Sequence, residues 1–251
     1  MNLEREIDEA LEFIEVGSFR VFGLPVSINE TLIISWVVMA ILVIGSLVLT
    51  RRLKTVPSGA QAIVETAVEF LNNFSRQQFG KRAKIYGPYI GTVFLFLLFA
   101  NILPAISPVG INFGGQEFKP LFTIKPPARD INFTAALAII SILIVFFGGL
   151  EARGIKGWAK NLLNPAPMML PFNIMEYVIR PTSLCLRLFG NMLGGFIIMR
   201  LIEAVLPVGL PPILSLYFDF LDGLIQALVF TFLTTLFVAE ACNQSEADAS
   251  I

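Results

Sequence analysis

Residues Pro171 to Met199 read PFNIMEYVIRPTSLCLRLFGNMLGGFIIM. The stretch is apolar enough to lie in a lipid bilayer, yet it carries two arginines and a glutamate. On a helix that advances about 100° per residue, its strongly polar side chains share one stripe about 80° wide. The stripe consists of Glu176, Arg180, Ser183, Arg187 and Asn191. The pattern predicts a membrane helix with one polar face.

The two arginines of this stretch differ in their surroundings. A charged arginine at the centre of a bilayer costs about 2.5–3.5 kcal/mol on insertion scales. Arg180 lies near the start of the stretch, so either a functional role or a side chain that reaches the headgroups would explain it. Arg187 has apolar sequence on both sides. Its position favours a side chain that faces protein or water and serves transport.

The composition indicates a polytopic membrane protein. Of 251 residues, 55% are hydrophobic and 15% are charged, against about 25% charged in soluble domains. The net charge of −1 gives no basic field for nucleic acid. The chain has no histidine, and Cys185 and Cys242 form no CxxC motif, so neither a metal site nor a disulfide framework is predicted. No phosphate-binding GxxxxGK[ST] loop occurs, and we expect no cofactor.

The first half of the chain divides at its charged residues. Residues 1–27 are predicted to be an extramembrane segment, with a short amphipathic helix followed by a turn near Gly23–Pro25. Residues 28–50 are predicted to form the first span, and the basic residues after it indicate that this end is cytoplasmic and the N-terminus outside. Residues 57–85 combine helical apolar spacing with charges, which favours an amphipathic helix on the cytoplasmic surface over a soluble connecting helix.

Residues 86–251 are predicted to form an ion-channel module. Two spans, 86–105 and 131–150, precede a mainly apolar run of 39 residues, 168–206, with no strong break except Pro171 and Pro181. As a straight helix these 39 residues would extend roughly 58 Å, whereas the hydrocarbon core is about 30 Å thick. A turn at 206–212 and a further apolar run therefore predict a tilted, near-horizontal helix hairpin over 168–241, with a cytoplasmic polar tail. The fold class expected is an all-α polytopic membrane protein.

A second polar stripe is predicted on the last helix. At helical spacing, Asp219, Asp222 and Gln226 fall on one face of an otherwise apolar run. Facing the first stripe, they would supply carboxylates and an amide next to a fixed positive charge, which is what proton transfer in a membrane requires. The alternative is a helix end whose aspartates are hydrated among the headgroups.

The run RPTSLCLRLFGNM, residues 180–192, resembles the signature of subunit a of F-type ATP synthases. Three other segments resemble the same family: PFNIMEYVIRP from Pro171, DINFTAALA from Asp130 and LIQALVFTFLTTLFVAEA from Leu224. The similarity extends over most of the chain from about Leu32. It implies the family's architecture, which includes a near-horizontal helix hairpin.

Residue roles follow from this resemblance by position. Arg187 matches the family's essential arginine. The polar positions that accompany it, and that we expect in the proton pathway, are Glu176, Arg180, Ser183, Asn191, Gln226, Asp130 and Asn132. Many bacterial members carry a glutamate nine residues after the arginine and a histidine seven residues before the glutamine, where this chain has Phe196 and Asp219. We therefore expect Asp219 to supply the missing carboxylate, with Asp222, which has no counterpart in the family pattern, as a further candidate.

The function implied is that of a non-catalytic stator subunit in a bacterial plasma (inner) membrane. Its partners would be a rotating ring of small two-helix proteolipid subunits, the peripheral-stalk membrane subunits and the lipid bilayer. Two offset half-channels would bring protons to the ring carboxylates and remove them, and Arg187 would prevent a direct leak. The alternative is a free-standing secondary transporter or channel for an anionic solute. An intramembrane hydrolase has less support, because there is no histidine and no GxSxG motif.

Overall fold

The computed structural model describes residues 15–21, 24–51, 53–54, 59–105, 126–162, 168, 170–205, 214 and 217–248. Two strands come first, β1 at Glu15–Val21 and β2 at Leu24–Asn29, and they pair in antiparallel orientation. This strand pair was not predicted, since only a turn was expected near Gly23–Pro25. The amphipathic helix predicted before it would begin in residues 1–14, which lie outside the described part.

Six α-helices follow the strand pair in the described part of the chain. They are α1 Glu30–Thr50, α2 Ala60–Phe79, α3 Ala83–Ala105, α4 Ile131–Leu162, α5 Leu170–Val205 and α6 Gly223–Asp248. Five helical segments are long and apolar enough to cross a membrane, with α2 and α3 together forming one of them. The expected class, an all-α polytopic membrane protein, is confirmed.

Helix α1 has the least contact with the rest of the described chain. Ile34 and Val38 pack against Ala100 of α3, whereas large apolar side chains such as Ile44 and Leu47 are exposed. An outward apolar surface of this kind is suited to lipid, because the polar backbone of a helix is satisfied internally.

Helix α2 folds back along α3. A 3₁₀ turn at Gly80–Arg82 joins them, and Gly80 has φ of +53°, a conformation that favours glycine. The buried ring of Phe79 lies 5.7 Å from the ring of Tyr86, centroid to centroid. Phe74 of α2 also lies 6.1 Å from Phe232 of α6. Only the C-terminal half of the apolar face of α2 is covered by protein, since Ile63 and Val68 are exposed. The location of α2 at the membrane surface stays a prediction.

Helices α4 and α5 are the two longest helices in the described part of the chain, with 32 and 36 residues. Gly154, with φ of +68°, breaks α4 shortly after its predicted membrane end. Helix α5 runs for 36 residues through Pro181, or about 54 Å, in agreement with the long segment predicted over 168–206. The turn predicted at 206–212 lies outside the described residues, and the tilt of the hairpin in a membrane stays a prediction.

The start of the last helix differs from the prediction. Tyr217–Asp222 forms a π-helical turn, and only from Gly223 is the helix an α-helix. Because a π-turn bonds residues i and i+5, the 100° spacing used for Asp219 and Asp222 does not hold there. The helix also continues to Asp248, beyond the predicted end of the apolar run at 241. The side chain of Asp219 is outside the described part.

Helices α3, α4, α5 and α6 share one apolar core. Its buried residues are Val93, Leu97, Ala128, Ala138, Leu184, Leu188, Ala227 and Phe230. Leu184 and Leu188 are the inward-facing residues of α5 at helical spacing. Arg187 lies beside this buried face, about 60° from Leu184 and 100° from Leu188, and its side chain is exposed.

Candidate functional site

Arg187 faces outward from the protein. Its side chain is exposed, while Leu184 and Leu188, which lie about 60° and 100° around the helix from it, are buried. Within the residues that the structure describes, no ion pair or hydrogen bond involves Arg187. The segment around it, Leu170–Met199, is one of the membrane-crossing candidates. A full positive charge is therefore presented at the outer surface of an apolar helix.

One turn further along α5, an amide and carboxylate cluster joins α5 to the last helix. Asn191 Nδ2 donates hydrogen bonds to Asp222 Oδ1 at 2.7 Å and to Gln226 Oε1 at 3.4 Å. Gln226 is 3% exposed, and its Nε2 has no hydrogen-bond partner within the described residues. We call Asn191, Asp222 and Gln226 the amide cluster. The structure thus brings together three of the predicted site residues.

Asn101 of α3 extends this polar region, although no role was predicted for it. It is 2% exposed, and its Nδ2 donates to the backbone oxygen of Gly223 at 3.3 Å. The contact is close because Gly223 has no side chain. A Cβ at Gly223 would lie 2.9 Å from the Cβ of Asn101, nearer than two carbons can approach without displacement.

We expect Gly223→Ala to weaken the packing of α3 against α6. The added methyl overpacks a buried site, and such changes typically cost about 1–3 kcal/mol. The measurement is the temperature at which the detergent-solubilised protein unfolds, with Gly45→Ala as the matched control, because nothing lies within 4 Å of a Cβ at Gly45. Equal unfolding temperatures for the two variants would contradict the contact.

Towards the other end of α5, an arginine joins two carboxylates. Arg180 Nη2 lies 2.7 Å from Glu176 Oε1 and 2.8 Å from Glu240 Oε2. Its guanidinium carbon is also 4.9 Å from the centroid of the Phe237 ring. We call Glu176, Arg180 and Glu240 the ion cluster. Ser183, which lies between this cluster and Arg187 on α5, is exposed.

Asp130 and Asn132 lie at the start of α4. Asp130 is buried, and its Oδ1 accepts a hydrogen bond from the backbone N–H of Asn132 at 2.9 Å. This is the geometry of an N-cap, so helix capping accounts for the Asp130 carboxylate. The side chain of Asn132 is exposed. Next to them, the buried Arg129 places its guanidinium carbon 3.6 Å from the centroid of the Phe196 ring.

Sequence reasoning missed two buried or paired polar residues, Glu240 and Asn101. Glu240 lies 14 residues after Gln226, which places it within about 40° of Gln226 on a helix. The same face criterion that selected Gln226 would have found it. Asn101 was visible as an amide near the end of an apolar span, but its partner is a backbone oxygen, for which the sequence carries no signal.

Comparison with known proteins assigns the chain to a family. The sequence model for the ATP synthase A chain matches residues 32–239. The chain is 34% identical over 226 residues to the sodium ion specific ATP synthase subunit a of Propionigenium modestum, covering 90% of this chain and 78% of that one. It is also 34% identical over 216 residues to ATP synthase subunit a of Moorella thermoacetica, covering 86% and 91%. The chain belongs to the ATP synthase subunit a family.

A third relative agrees with this assignment. ATP synthase subunit a 1 of Crocosphaera subtropica is 34% identical over 220 residues, covering 87% of this chain and 89% of that protein. Membership of the subunit a family makes the chain a multi-pass membrane subunit that acts in ion translocation in the membrane sector of ATP synthase. It also implies partners within that sector, such as the c ring. The resemblance seen in the Arg187 region is thereby confirmed at the level of the family.

Proposed function

We propose that the chain is the stator subunit that moves protons past a rotating ring through two offset half-channels. It is not catalytic itself, and the chemistry of ATP belongs to other subunits of the complex. The N-terminus lies outside the bacterial plasma membrane and the C-terminus in the cytoplasm. Peripheral-stalk membrane subunits hold the chain in place while the ring turns.

The observation that carries this proposal is the outward charge of Arg187 between two polar clusters. Asn191 of the amide cluster lies four residues beyond it, or about 6 Å along α5. Arg180 of the ion cluster lies seven residues before it, or about 10 Å. An exposed charge in an apolar surface calls for a charged or polar partner. A ring carboxylate meets that requirement.

The amide cluster supports an outer half-channel. Gln226 Nε2 and Asn101 Oδ1 are buried without a hydrogen-bond partner within the described residues. Buried polar atoms of this kind are commonly satisfied by ordered water, which also conducts protons. Asp222 supplies a carboxylate in the same place, and Asp219, three residues earlier, is proposed to supply another. Asp130 and Asn132 remain candidates for its outer mouth.

Arg187 acts as the barrier between the half-channels. A ring carboxylate crosses the lipid at low cost only when it is protonated, because an isolated charge is poorly solvated there. Opposite Arg187 the ionised form is favoured, so the carboxylate gives up its proton before it passes. Arginine is suited to this task because it effectively never loses its own proton. The same charge repels a proton that would cross directly.

The ion proposed is the proton. The relative from Propionigenium modestum is described as sodium ion specific, whereas the names of the other two relatives carry no such term. Whether the complex transports protons or sodium ions depends mainly on the groups of the ring that bind the ion. ATP-driven acidification of vesicles in sodium-free medium tests this assignment, and a strict requirement for sodium would contradict it.

Purification of the tagged chain tests the proposed function. We expect a ring of small two-helix subunits and the stalk subunits to purify with it. The purified complex, reconstituted into vesicles, should acidify them when ATP is added, whereas the chain alone should transport nothing. Uptake of an anionic solute by the chain alone would instead establish the free-standing transporter.

A further inference from the structure

The ion cluster joins the two helices of the proposed hairpin through a single guanidinium. Arg180 reaches Glu176 on its own helix and Glu240 on α6, at 2.7 and 2.8 Å. The side chain of Arg180 is 14% exposed, whereas those of Glu176 and Glu240 are 55% and 44% exposed. A largely covered cation is thus flanked by two carboxylates that solvent can reach.

The cluster has an excess of negative charge. One carboxylate balances the guanidinium, and the second leaves a net charge of −1 when all three groups are ionised. A stabilising ion pair between two helices requires only one carboxylate. Two carboxylates beside one guanidinium form a group that attracts protons, at a place where both carboxylate side chains are about half exposed to solvent.

The position of the cluster matches that of an inner half-channel. Glu176 and Arg187 lie eleven residues apart, which places them within about 20° on one face of α5, and Ser183 on the same face is exposed between them. Glu240 lies close to the end of the apolar segment Phe220–Cys242. In the proposed orientation, this end faces the cytoplasm.

We propose that Glu240 accepts protons that leave the ring on the cytoplasmic side, with Arg180 as its positioning residue and Glu176 as a second acceptor. The inference rests on the proposed function. A ring carboxylic acid breaks its O–H bond, and the proton, passed through water, forms an O–H bond on a Glu240 oxygen. The ring carboxylate becomes negative and Glu240 neutral. Loss of the proton to cytoplasmic water restores Glu240, and the steps reverse during ATP-driven pumping.

The choice of substitution separates proton transfer from a purely structural ion pair. Glu240→Gln keeps the length of the side chain and an oxygen that accepts a hydrogen bond from Arg180, but it cannot carry the proton. Glu240→Asp shortens the side chain and lengthens the contact with Arg180, but it keeps the acid. A proton acceptor tolerates aspartate better than glutamine, and a structural partner tolerates glutamine better than aspartate.

The experiment measures the initial rate of ATP-driven acidification of inverted vesicles that contain the whole complex, divided by the amount of assembled chain. We expect Glu240→Gln to reduce the rate about fivefold and the Glu176→Gln, Glu240→Gln double variant at least about 20-fold, since a positioned proton carrier typically contributes a factor of 10² or more. Glu240→Asp should keep about half of the rate. Glu69→Gln, which removes an exposed carboxylate of α2, should leave the rate unchanged.

Two outcomes overturn the inference: a normal rate in the double variant, or a loss of rate in Glu240→Asp that exceeds the loss in Glu240→Gln. Arg187→Ala is measured in parallel to separate this failure from that of the proposed function. If Arg187→Ala stops pumping while the double variant pumps normally, the inner acceptor is wrong and the stator function stands. If Arg187→Ala pumps normally, the proposed function fails.

Discussion

Arg187→Ala is expected to abolish ATP-driven proton pumping, with a loss of at least about 100-fold in complexes that still assemble. Without the guanidinium, nothing favours the ionised ring carboxylate at the boundary between the half-channels, and protonated carboxylates pass without exchange. The passive proton leak through the membrane sector should rise at the same time, because the fixed positive charge no longer repels protons. Acidification of inverted vesicles and decay of an imposed pH gradient give the two rates.

Arg187→Lys should resemble Arg187→Ala in pumping, because a lysine that is removed from water between this helix and the ring can lose its proton, whereas arginine effectively cannot. Lys84→Ala is the matched control, since it removes an exposed positive charge at the start of α3. Its pumping should equal that of the wild type. Undiminished pumping by Arg187→Ala would exclude the stator mechanism and return the transporter for an anionic solute to first place.

Neutralising the two aspartates before α6 is expected to have the second-largest effect. Asp222→Asn and Asp219→Asn should each reduce pumping about 10-fold, and the double variant about 100-fold, which is the range for removal of a positioned proton carrier. Asparagine at position 222 retains an oxygen that can accept the 2.7 Å hydrogen bond from Asn191. A loss in Asp222→Asn would therefore reflect the missing acid and not a missing contact.

The acid-retaining variant Asp222→Glu is the control for this pair, and it should pump faster than Asp222→Asn. The rates are again divided by the amount of assembled chain. Intact pumping in Asp219→Asn would show that Asp219 does not replace the family's half-channel carboxylate. If Asp222→Asn pumped normally and Asp219→Asn did not, Asp222 would have only a structural role, as the hydrogen-bond acceptor of Asn191.

The helices were predictable because long apolar runs in a sequence are by themselves enough to indicate membrane helices. The run that became α5 carries no break strong enough to end a helix, since Pro181 removes one backbone donor and the remaining turns persist. The strand pair was missed although Leu24, Val26 and Ile28 alternate with polar residues or proline in β2. That period of two indicates a strand, but it extends over only six residues.

The candidate site was predictable where spacing on one helix decides it. Glu176, Arg180 and Asn191 follow α-helical geometry, and their relative placement agrees with the stripe derived from the sequence. The aspartates differ, because a π-turn cannot be inferred from side-chain periodicity. Partners across helices, such as Asn191 with Asp222 and Arg180 with Glu240, depend on how the helices pack. A single sequence does not specify that packing.

The outward charge of Arg187 has a consequence for biogenesis. A newly inserted copy that has not met its ring exposes a guanidinium to lipid, with an insertion cost of about 2.5–3.5 kcal/mol at the bilayer centre. The core contacts of α1, through Ile34 and Val38, are with α3 and not with the face that carries Arg187. If the proposed ring contact is right, we expect a copy without its ring to be less stable in the membrane than an assembled copy. The exposed charge thus makes the stability of this subunit depend on its assembly with a partner.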